Sequence, residues 1–399
     1  METASSTPGK HLSDKVAIVG VAESDRIGIV PDRSSIALHA EAARNALRDA
    51  GLALADVDGL WTAGVRPTEV GEYLGIVPRH LDGTDVGGSS FVIHVAHAAT
   101  AIANGLCDVA LITHGQSGRS KIGLPPRPAH PQYMSGQFED PFGLPQPAGS
   151  YALACSRHMH EYGTTKEQLA EIAVATRKWA ALNPRAMMRD PISVEDVLNS
   201  RMICWPFNLL DCCLVTDAGG AVVLTSRERA RDCRTVPVRV LGFGEGFDHH
   251  LISQMPSLTA GPAQYSGRRA FEMAGVTHAD LDVVQIYDSF TYTVLLTLED
   301  LGFCARGEGG AFVSNQRTAP GGDFPLNTSG GGLSYTHPGM FGIFTVIEGV
   351  RQLRHDYVKS GFSDDVANPG RQVRDAKLGL VHGTGLVLSA TGTLILGRD

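Results

Sequence analysis

The chain repeats itself at long range, and this internal repeat limits its possible folds more than any other feature. A β-branched segment around Gly20 has the same shape as a segment around Gly242, and the two glycines are 222 residues apart. Residues 50–58 recur as residues 274–282 at an offset of 224, with five identical positions. Because the order of the matched segments is preserved, the chain is predicted to fold as two similar halves.

Two further pairs of segments, which match less closely, extend the repeat. Residues 87–94 begin with two glycines, as do residues 331–338, and residues 111–115 resemble residues 380–384. Short, mostly apolar runs such as residues 283–286 are typical of strands that are covered on both faces. Each half is therefore expected to run strand, helix, strand, glycine-rich turn, helix and strand, which is an α/β arrangement.

An insertion interrupts the repeat between the two halves. A stretch rich in proline and glycine, residues 124–147, leads to a predicted helix that begins at a possible capping box, residues 164–167, and ends before Pro184. Long loops on a rigid scaffold often shape pockets, so the insertion is expected to be functional. The predicted segments are a disordered N-terminus (1–12), an N-terminal half (13–117 and 206–230), an inserted loop domain (118–205) and a C-terminal half (231–399).

Composition excludes several classes of function. The net charge is -8 without blocks of like charge, so neither nucleic acid nor a membrane surface is expected as a partner. No apolar run approaches 18 residues and no signal peptide is recognisable, which predicts a cytoplasmic protein. The seven cysteines are scattered, so we expect them to be reduced, and no His or Cys spacing predicts a metal site.

Seven segments in the two halves carry motifs of a known family: 15–23, 210–220, 287–291, 298–308, 327–333, 337–340 and 382–385. They resemble the thiolase superfamily, in particular its sterol-carrier-protein-x or lipid-transfer branch. The resemblance covers the chain from about residue 13 to the C-terminus. It implies the thiolase fold, with two βαβαβαββ halves that form a layered α/β/α/β/α core carrying an inserted loop domain.

The cysteines that thiolases use are absent from the matching positions. Thiolases carry a nucleophilic cysteine at a helix start, a histidine that activates it and a second cysteine that moves the proton. Here the nucleophile region is segment 86–90, which contains no cysteine, and His382 stands where the second cysteine is expected. Tyr287 matches the family's oxyanion asparagine, and His337 before Pro338 matches the histidine that polarises the thioester carbonyl. The resemblance thus implies an acyl-CoA enzyme that forms no acyl-enzyme.

Several relatives without the nucleophilic cysteine are retro-aldol lyases, which split a β-hydroxyacyl-CoA into a ketone or aldehyde and a shorter acyl-CoA, as in sterol side-chain breakdown. Such chemistry needs a base for the hydroxyl proton and a donor for the thioester enolate. We predict that Tyr287 or Tyr335 is the base, and that His337 and His382 hold the enolate oxygen or return the proton. The glycines predicted to let the CoA thioester approach the backbone are Gly331, Gly332, Gly383 and Gly385.

Two other functions stay open at this stage. One is a thiolase-type acyltransferase in which free CoA attacks directly or a cysteine such as Cys304 reaches the pocket; the other is a non-catalytic subunit that binds acyl-CoA. No permanently bound cofactor is expected, and coenzyme A is expected as part of the substrate or product. The resemblance further implies a homodimer and a small partner protein with a zinc ribbon and an OB-fold. Ser89 and Ser90 are expected to cap the following helix rather than to act as nucleophiles.

Overall fold

The structure is a computed structural model, and it describes residues 7–122, 133–144, 146–365 and 369–399. Parts of the predicted N-terminal segment 1–12 and of the proline-rich stretch 124–147 lie outside these residues. Within the N-terminal segment, Lys10–Leu12 form one turn of 3-10 helix, and the Lys10 ammonium donates a hydrogen bond of 2.6 Å to the Met273 carbonyl. None of the helices in the described ranges has both the length and the apolar character needed to cross a membrane.

The N-terminal half follows the predicted βαβαβαββ order, whereas the described residues of the C-terminal half lack the third strand and have an isolated parallel bridge between Val284 and Leu326 instead. The N-terminal half begins with β1 (Val16–Glu23), α1 (Ser35–Ala50), β2 (Gly59–Thr62), α2 (Pro67–Leu74), β3 (His80–Asp82), α3 (Ser90–Ala103) and β4 (Val109–Ser117). The insertion contains α4 (Met134–Phe138), α5 (Ala148–Tyr162), α6 (Lys166–Ala181), α7 (Val194–Asn199) and β5 (Met202–Cys204), and β6 (Phe207–Asn208) and β7 (Asp217–Ser226) complete the half. The C-terminal half contains β8 (Val238–Phe247), α8 (Ala263–Ala274), β9 (Val283–Ile286), α9 (Thr291–Asp300), α10 (Gly309–Val313), α11 (Gly342–Arg354), β10 (Leu378–Gly385) and β11 (Ala390–Gly397).

Sheet topology confirms the repeat. The main sheet has the strand order β3-β2-β4-β7-β1-β8-β11-β10-β9, and its halves meet where β1 pairs with β8 over two residues. From that junction outward, β1, β7, β4 and β2 correspond to β8, β11, β10 and β9. The β2–β4 and β9–β10 pairs are parallel, whereas β7 and β11 run antiparallel to both of their neighbours.

Helices add the layers that the thiolase fold requires. Helix α1 covers β1, β4 and β7 on one outer face, and α8 covers β8 and β11 on the other. Helices α3 and α11 pack against strands of both halves, so they form the central layer. Nearly every residue of α3 is buried, as expected for a helix that is apolar all round. The predicted α/β/α/β/α layering is confirmed.

The two glycines that revealed the repeat have the same structural role. A Cβ atom at Gly20 would lie 2.2 Å from the Ala46 carbonyl oxygen on α1, and one at Gly242 would lie 2.2 Å from the Ala270 carbonyl oxygen on α8. Any side chain at these positions would push the outer helix off its strand. The matched glycines therefore record the same close helix–strand packing in both halves.

The insertion packs its longest helix against the body of the protein. Helix α6 ends before Pro184 as predicted, but it begins one residue later than the capping box 164–167 suggested, because Thr165 is the N-cap and accepts a hydrogen bond from the Gln168 amide. The Thr164 hydroxyl lies instead 2.8 Å from Nδ1 of His158. The domain boundaries proposed from the sequence remain predictions.

Candidate active site

One cleft of about 680 Å³ lies where the two halves and the insertion meet. The turn before α3, the ends of β4 and β10, the segment after β9 and the N-terminal turn of α5 contribute to its wall. In doubled α/β sheets, the ends of parallel strands are the usual place for ligands. The polar residues that line it include Asp85, His114, Gln116, Tyr151, Cys213, Tyr287, Ser289 and His337.

A tyrosine–histidine pair forms the chemical centre of this cleft. The Tyr287 hydroxyl lies 2.8 Å from Nε2 of His337, and the two rings are nearly perpendicular. Tyr287 is held directly after β9 because its amide donates to the His382 carbonyl, 3.1 Å away. His337 is held by its amide, which donates to the Thr216 hydroxyl at 2.9 Å, and by stacking on Phe341. The structure thus brings together two of the four predicted site side chains.

Burial sets the protonation of the pair. It lowers the pKa of His337 to about 4 and raises the pKa of Tyr287 well above its usual value of 10. At neutral pH the imidazole is therefore uncharged and the phenol keeps its proton. In the tautomer with an unprotonated Nε2, the phenol donates to the imidazole, so a proton that reaches the phenol oxygen can be passed on to His337.

The Tyr287 ring fills the space beside the turn at residues 86–90, the segment predicted to match the thiolase nucleophile region. A Cβ atom at Gly88 would lie 2.3 Å from Cε2 of Tyr287 and 2.7 Å from the Thr384 carbonyl oxygen. Gly87 has a φ of 71°, and a Cβ atom there would lie 2.8 Å from the Leu386 amide nitrogen. The turn therefore leaves no room for a cysteine side chain at either position, and the glycines and Tyr287 fit each other as a set.

Tyr335, the other predicted base, does not line the cleft. It ends a π-helical turn, Gly331–Tyr335, and its hydroxyl donates to the Glu23 carboxylate at 2.7 Å. Burial of Glu23 raises its pKa, but the charge and hydrogen bonds of Arg351 outweigh this and lower it to about 2. The phenol of Tyr335 is thus committed to a buried ion pair, and of the two predicted tyrosines only Tyr287 reaches the cleft.

His382 also points away from the cleft, which corrects its predicted position. Side chains alternate along β10: Val381 packs in the central core, whereas Leu380 packs in the outer core beneath α8. His382 shares the outer face with Leu380, and its Nδ1 lies 2.9 Å from the hydroxyl of Thr393, which in turn contacts Ser266 on α8. The residue supports Tyr287 only through its backbone carbonyl.

The four predicted glycines have three different surroundings. Gly385 lines the cleft, whereas Gly383 faces Val92 on α3. Gly331 and Gly332 surround the buried carboxylate of Asp288, to which the Gly332 amide donates at 2.6 Å. A Cβ atom at Gly331 would lie 2.0 Å from that carboxylate, so these two glycines serve the fold of the turn.

The serines of the nucleophile turn have different roles from those predicted. Ser90 binds the turn, since its hydroxyl donates to the Gly87 carbonyl and accepts from the Val86 amide. The Ser89 hydroxyl makes no capping bond to α3. Only Ser90 therefore stabilises the start of the helix through its side chain.

Among the cleft side chains that sequence reasoning missed, three can take part in chemistry: His114, Tyr151 and Cys213. Tyr151 comes from α5 of the insertion, and its hydroxyl donates to the Leu386 carbonyl at 3.2 Å. Cys213, rather than the predicted Cys304, is the cysteine that lines the cleft, and burial raises its pKa far above 9. A thiol with so high a pKa is a poor nucleophile. Cys213 lies in segment 210–220, one of those that carry the family resemblance, and His114 lies in one of the repeated segments.

Metal-type clusters are absent from the described ranges: no three His, Cys, Asp or Glu side chains there are close enough together to hold an ion. The fold and the cleft define a thiolase-fold protein in which a glycine turn, Gly87–Gly88, packs beside a hydrogen-bonded phenol and imidazole.

Comparisons with known proteins agree with that class. A family model described as the thiolase C-terminal domain-like family matches residues 244–398. The 17-hydroxy-3-oxo-4-pregnene-20-carboxyl-CoA lyase of Mycobacterium tuberculosis is 37% identical over 86% of this chain and 92% of its own length. A steroid side-chain-cleaving aldolase of Thermomonospora curvata is 36% identical over 92% of this chain and 94% of its own.

A solved structure, the Ltp2-ChsH2(DUF35) aldolase, superposes with a TM-score of 0.86 at 32% identity, covering 97% of this chain and 99% of that one. The chain belongs to the thiolase superfamily, in the thiolase-like branch that includes the steroid side-chain-cleaving aldolases.

Proposed function

We propose that this protein cleaves the Cα–Cβ bond of a β-hydroxyacyl-CoA by a retro-aldol reaction. The observation that carries the proposal is the Tyr287–His337 pair, joined at 2.8 Å beside a turn that has no room for a nucleophilic side chain. A site of this kind can move protons but cannot form an acyl-enzyme at the usual position. The names of the two curated relatives, a lyase and an aldolase, support the same reaction.

The proposed reaction balances without free CoA or an oxidant. The β-hydroxyl gives its proton to the Tyr287 oxygen as the phenol proton moves to Nε2 of His337. The Cα–Cβ bond breaks, the β-oxygen becomes the carbonyl of a ketone, and the electron pair enters the thioester as an enolate. The proton then returns through the phenol to Cα, which gives the shorter acyl-CoA. Because His337 has a low pKa, its imidazolium is a strong acid and this return is favoured.

The substrate we propose is a steroid with a CoA-activated side chain. The relatives' names specify pregnene and steroid side-chain substrates, and the cleft of about 680 Å³ lies in the range of roughly 300–1,000 Å³ that is usual for small-molecule pockets, which suits the steroid part of such a substrate. Coenzyme A enters and leaves as part of the thioester, and we propose no resident cofactor.

We also propose that the protein works with partners in the cytoplasm. The name of the similar solved structure pairs Ltp2 with ChsH2(DUF35), which supports a second subunit here. The zinc-ribbon and OB-fold nature of that subunit and the homodimer come from the resemblance of the sequence alone. Co-expression with a DUF35-type protein followed by purification on one tagged chain tests the partner directly, and a partner that never co-purifies would contradict it.

A two-substrate assay tests the reaction. The protein, alone and with its co-purified partner, is incubated with a 17-hydroxysteroid β-hydroxyacyl-CoA, and separately with a β-ketoacyl-CoA plus free CoA. The expected result is a ketone and a shorter acyl-CoA in equal amounts from the first substrate, without added CoA. Turnover of the ketoacyl substrate alone would instead support an acyltransferase, and tight binding without any turnover would support a non-catalytic subunit.

A further inference from the structure

One polar side chain of the cleft has no role in the proton transfer described above. His114, near the end of β4, is fully buried and lines the same cleft as Tyr287 and His337. Neither of its ring nitrogens has a hydrogen-bond partner among the described residues. Leaving a buried donor unpaired costs about 1–3 kcal/mol, so such a group is expected to meet its partner in a bound molecule.

The surroundings of His114 fix its charge and its direction. Its ring packs against Phe91 of the central layer, with ring centroids 4.7 Å apart. Burial, reinforced by the nearby His39 and His337, lowers its pKa well below 6.5, so the ring is neutral. A neutral imidazole offers one N–H donor and one acceptor. His114 lines the cleft from β4, whereas Tyr287 lines it from the segment after β9.

We propose that His114 donates a hydrogen bond to the thioester oxygen of the bound acyl-CoA and stabilises it as the enolate oxygen. Retro-aldol cleavage moves negative charge onto this oxygen, while the β-oxygen is engaged by the Tyr287–His337 pair. A neutral donor that is already in place within a buried site stabilises such a charge without reorganisation. The reaction step rests on the proposed function, whereas the contact to the thioester oxygen does not.

Binding of two non-reacting ligands tests the contact. A β-deoxyacyl-CoA lacks the hydroxyl needed for cleavage, and its thioether analogue lacks the thioester oxygen as well. The wild-type protein should prefer the thioester by about tenfold, which is the worth of one good hydrogen bond. His114→Leu should lose this preference, and His114→Asn, which keeps a donor, should retain part of it.

His382→Leu is the matched control, because His382 is equally buried on the equivalent strand β10 but faces away from the cleft. It should keep the tenfold preference. Equal thioester preference in wild type and His114→Leu would overturn the proposal, as would a wild-type protein with no preference. These outcomes do not depend on turnover, so they are distinct from a failure of the proposed reaction.

Two further measurements cover folding and chemistry. If His114→Leu does not fold, ¹⁵N shifts of the histidine rings in the wild-type protein should change with the thioester and not with the thioether, and unchanged shifts would overturn the contact. With the β-hydroxyacyl-CoA substrate, His114→Leu should lower kcat by roughly 100-fold, as expected for the loss of an oxyanion donor. A kcat within threefold of wild type would contradict its role in the enolate step.

Discussion

Strands β4 and β10 occupy equivalent places in the two halves, and each carries one buried histidine, but only one of these residues reaches the cleft. Aligned from Leu111 and Leu380, which both face the outer layers, Thr113 corresponds to His382 and His114 corresponds to Gly383. His114 therefore faces the centre of the molecule and His382 faces α8. A shift of one position along a strand moves a side chain to the opposite face of the sheet.

The two buried tyrosines that were predicted as bases, Tyr287 and Tyr335, also differ in whether they reach the cleft. Tyr287 lines the cleft and its hydroxyl is hydrogen-bonded to a neutral imidazole, whereas the hydroxyl of Tyr335 donates to the carboxylate of Glu23. Both phenols are buried, so burial alone does not identify the residue that acts on a substrate. The hydrogen-bond partner of the hydroxyl distinguishes the two residues.

Removing each tyrosine hydroxyl in turn should give the largest difference in kcat between two variants. We expect Tyr287→Phe to lower kcat for the β-hydroxyacyl-CoA by about 1,000-fold, within the range for the loss of a general acid or base. Tyr335→Phe should keep kcat within about threefold, because its hydroxyl serves only the Glu23 ion pair. Steady-state kinetics of both variants provide the measurement. The reverse order of effects would make Tyr335 the base.

The fit between the glycine turn and the tyrosine predicts the next largest effect. Gly88→Ala should lower kcat by roughly 100-fold, because its Cβ atom, 2.3 Å from the ring, displaces Tyr287 from His337. Gly71→Ala on α2 is the control, since a Cβ atom there makes contacts of 3.4 Å and should leave kcat unchanged. Full activity in Gly88→Ala would show that the position of the ring does not matter.

The pH dependence of the free energy of unfolding tests whether His382 lies in the outer core. Burial lowers its pKa to about 3 from the ordinary value of 6.5, so between these values the unfolded chain binds a proton that the folded protein does not. Stability is then complete above pH 6.5 and falls as the pH drops below it. Urea unfolding at pH 7.5 and 5.5 should show that wild type loses about 1.4 kcal/mol more than His382→Gln. Equal losses would indicate a solvated histidine.

The smallest effect should come from the hydroxyl that holds His382. Thr393→Val removes the partner of Nδ1 and should lower the free energy of unfolding by about 1–2 kcal/mol. Its kcat should match wild type, because neither Thr393 nor the ring of His382 lines the cleft. A large loss of kcat with unchanged stability would indicate that His382 takes part in the reaction.

Much of the fold followed from the sequence because repeats and periodic apolar runs report backbone packing directly. The matched glycines Gly20 and Gly242 predicted two equivalent halves, and the structure shows the same helix contact at each. Tyr287 and His337 were also predicted as site residues, through the motifs of the family, but the hydrogen bond between them was not predicted. What a motif could not give was the face of β10 on which His382 lies, since this depends on register within the sheet.

The remaining site residues depend on long-range packing. Tyr151 reaches the cleft because the insertion folds back over the core, and Cys213 is held there by its amide, which donates to the Ser289 carbonyl at 3.0 Å. No local pattern encodes either contact. His114 left a signal in the matched segments 111–115 and 380–384, because aligning their leucines places it one position beyond His382 and therefore on the opposite face of its strand.

The central claim is that Tyr287 and His337 transfer protons without a covalent acyl-enzyme. The most direct test follows one turnover of the β-hydroxyacyl-CoA in D₂O, with intact-mass measurement of both the protein and the released acyl-CoA. The account predicts a protein of unchanged mass throughout and one solvent deuterium on the α-carbon of the product. A protein that gains the mass of an acyl group during turnover would contradict it.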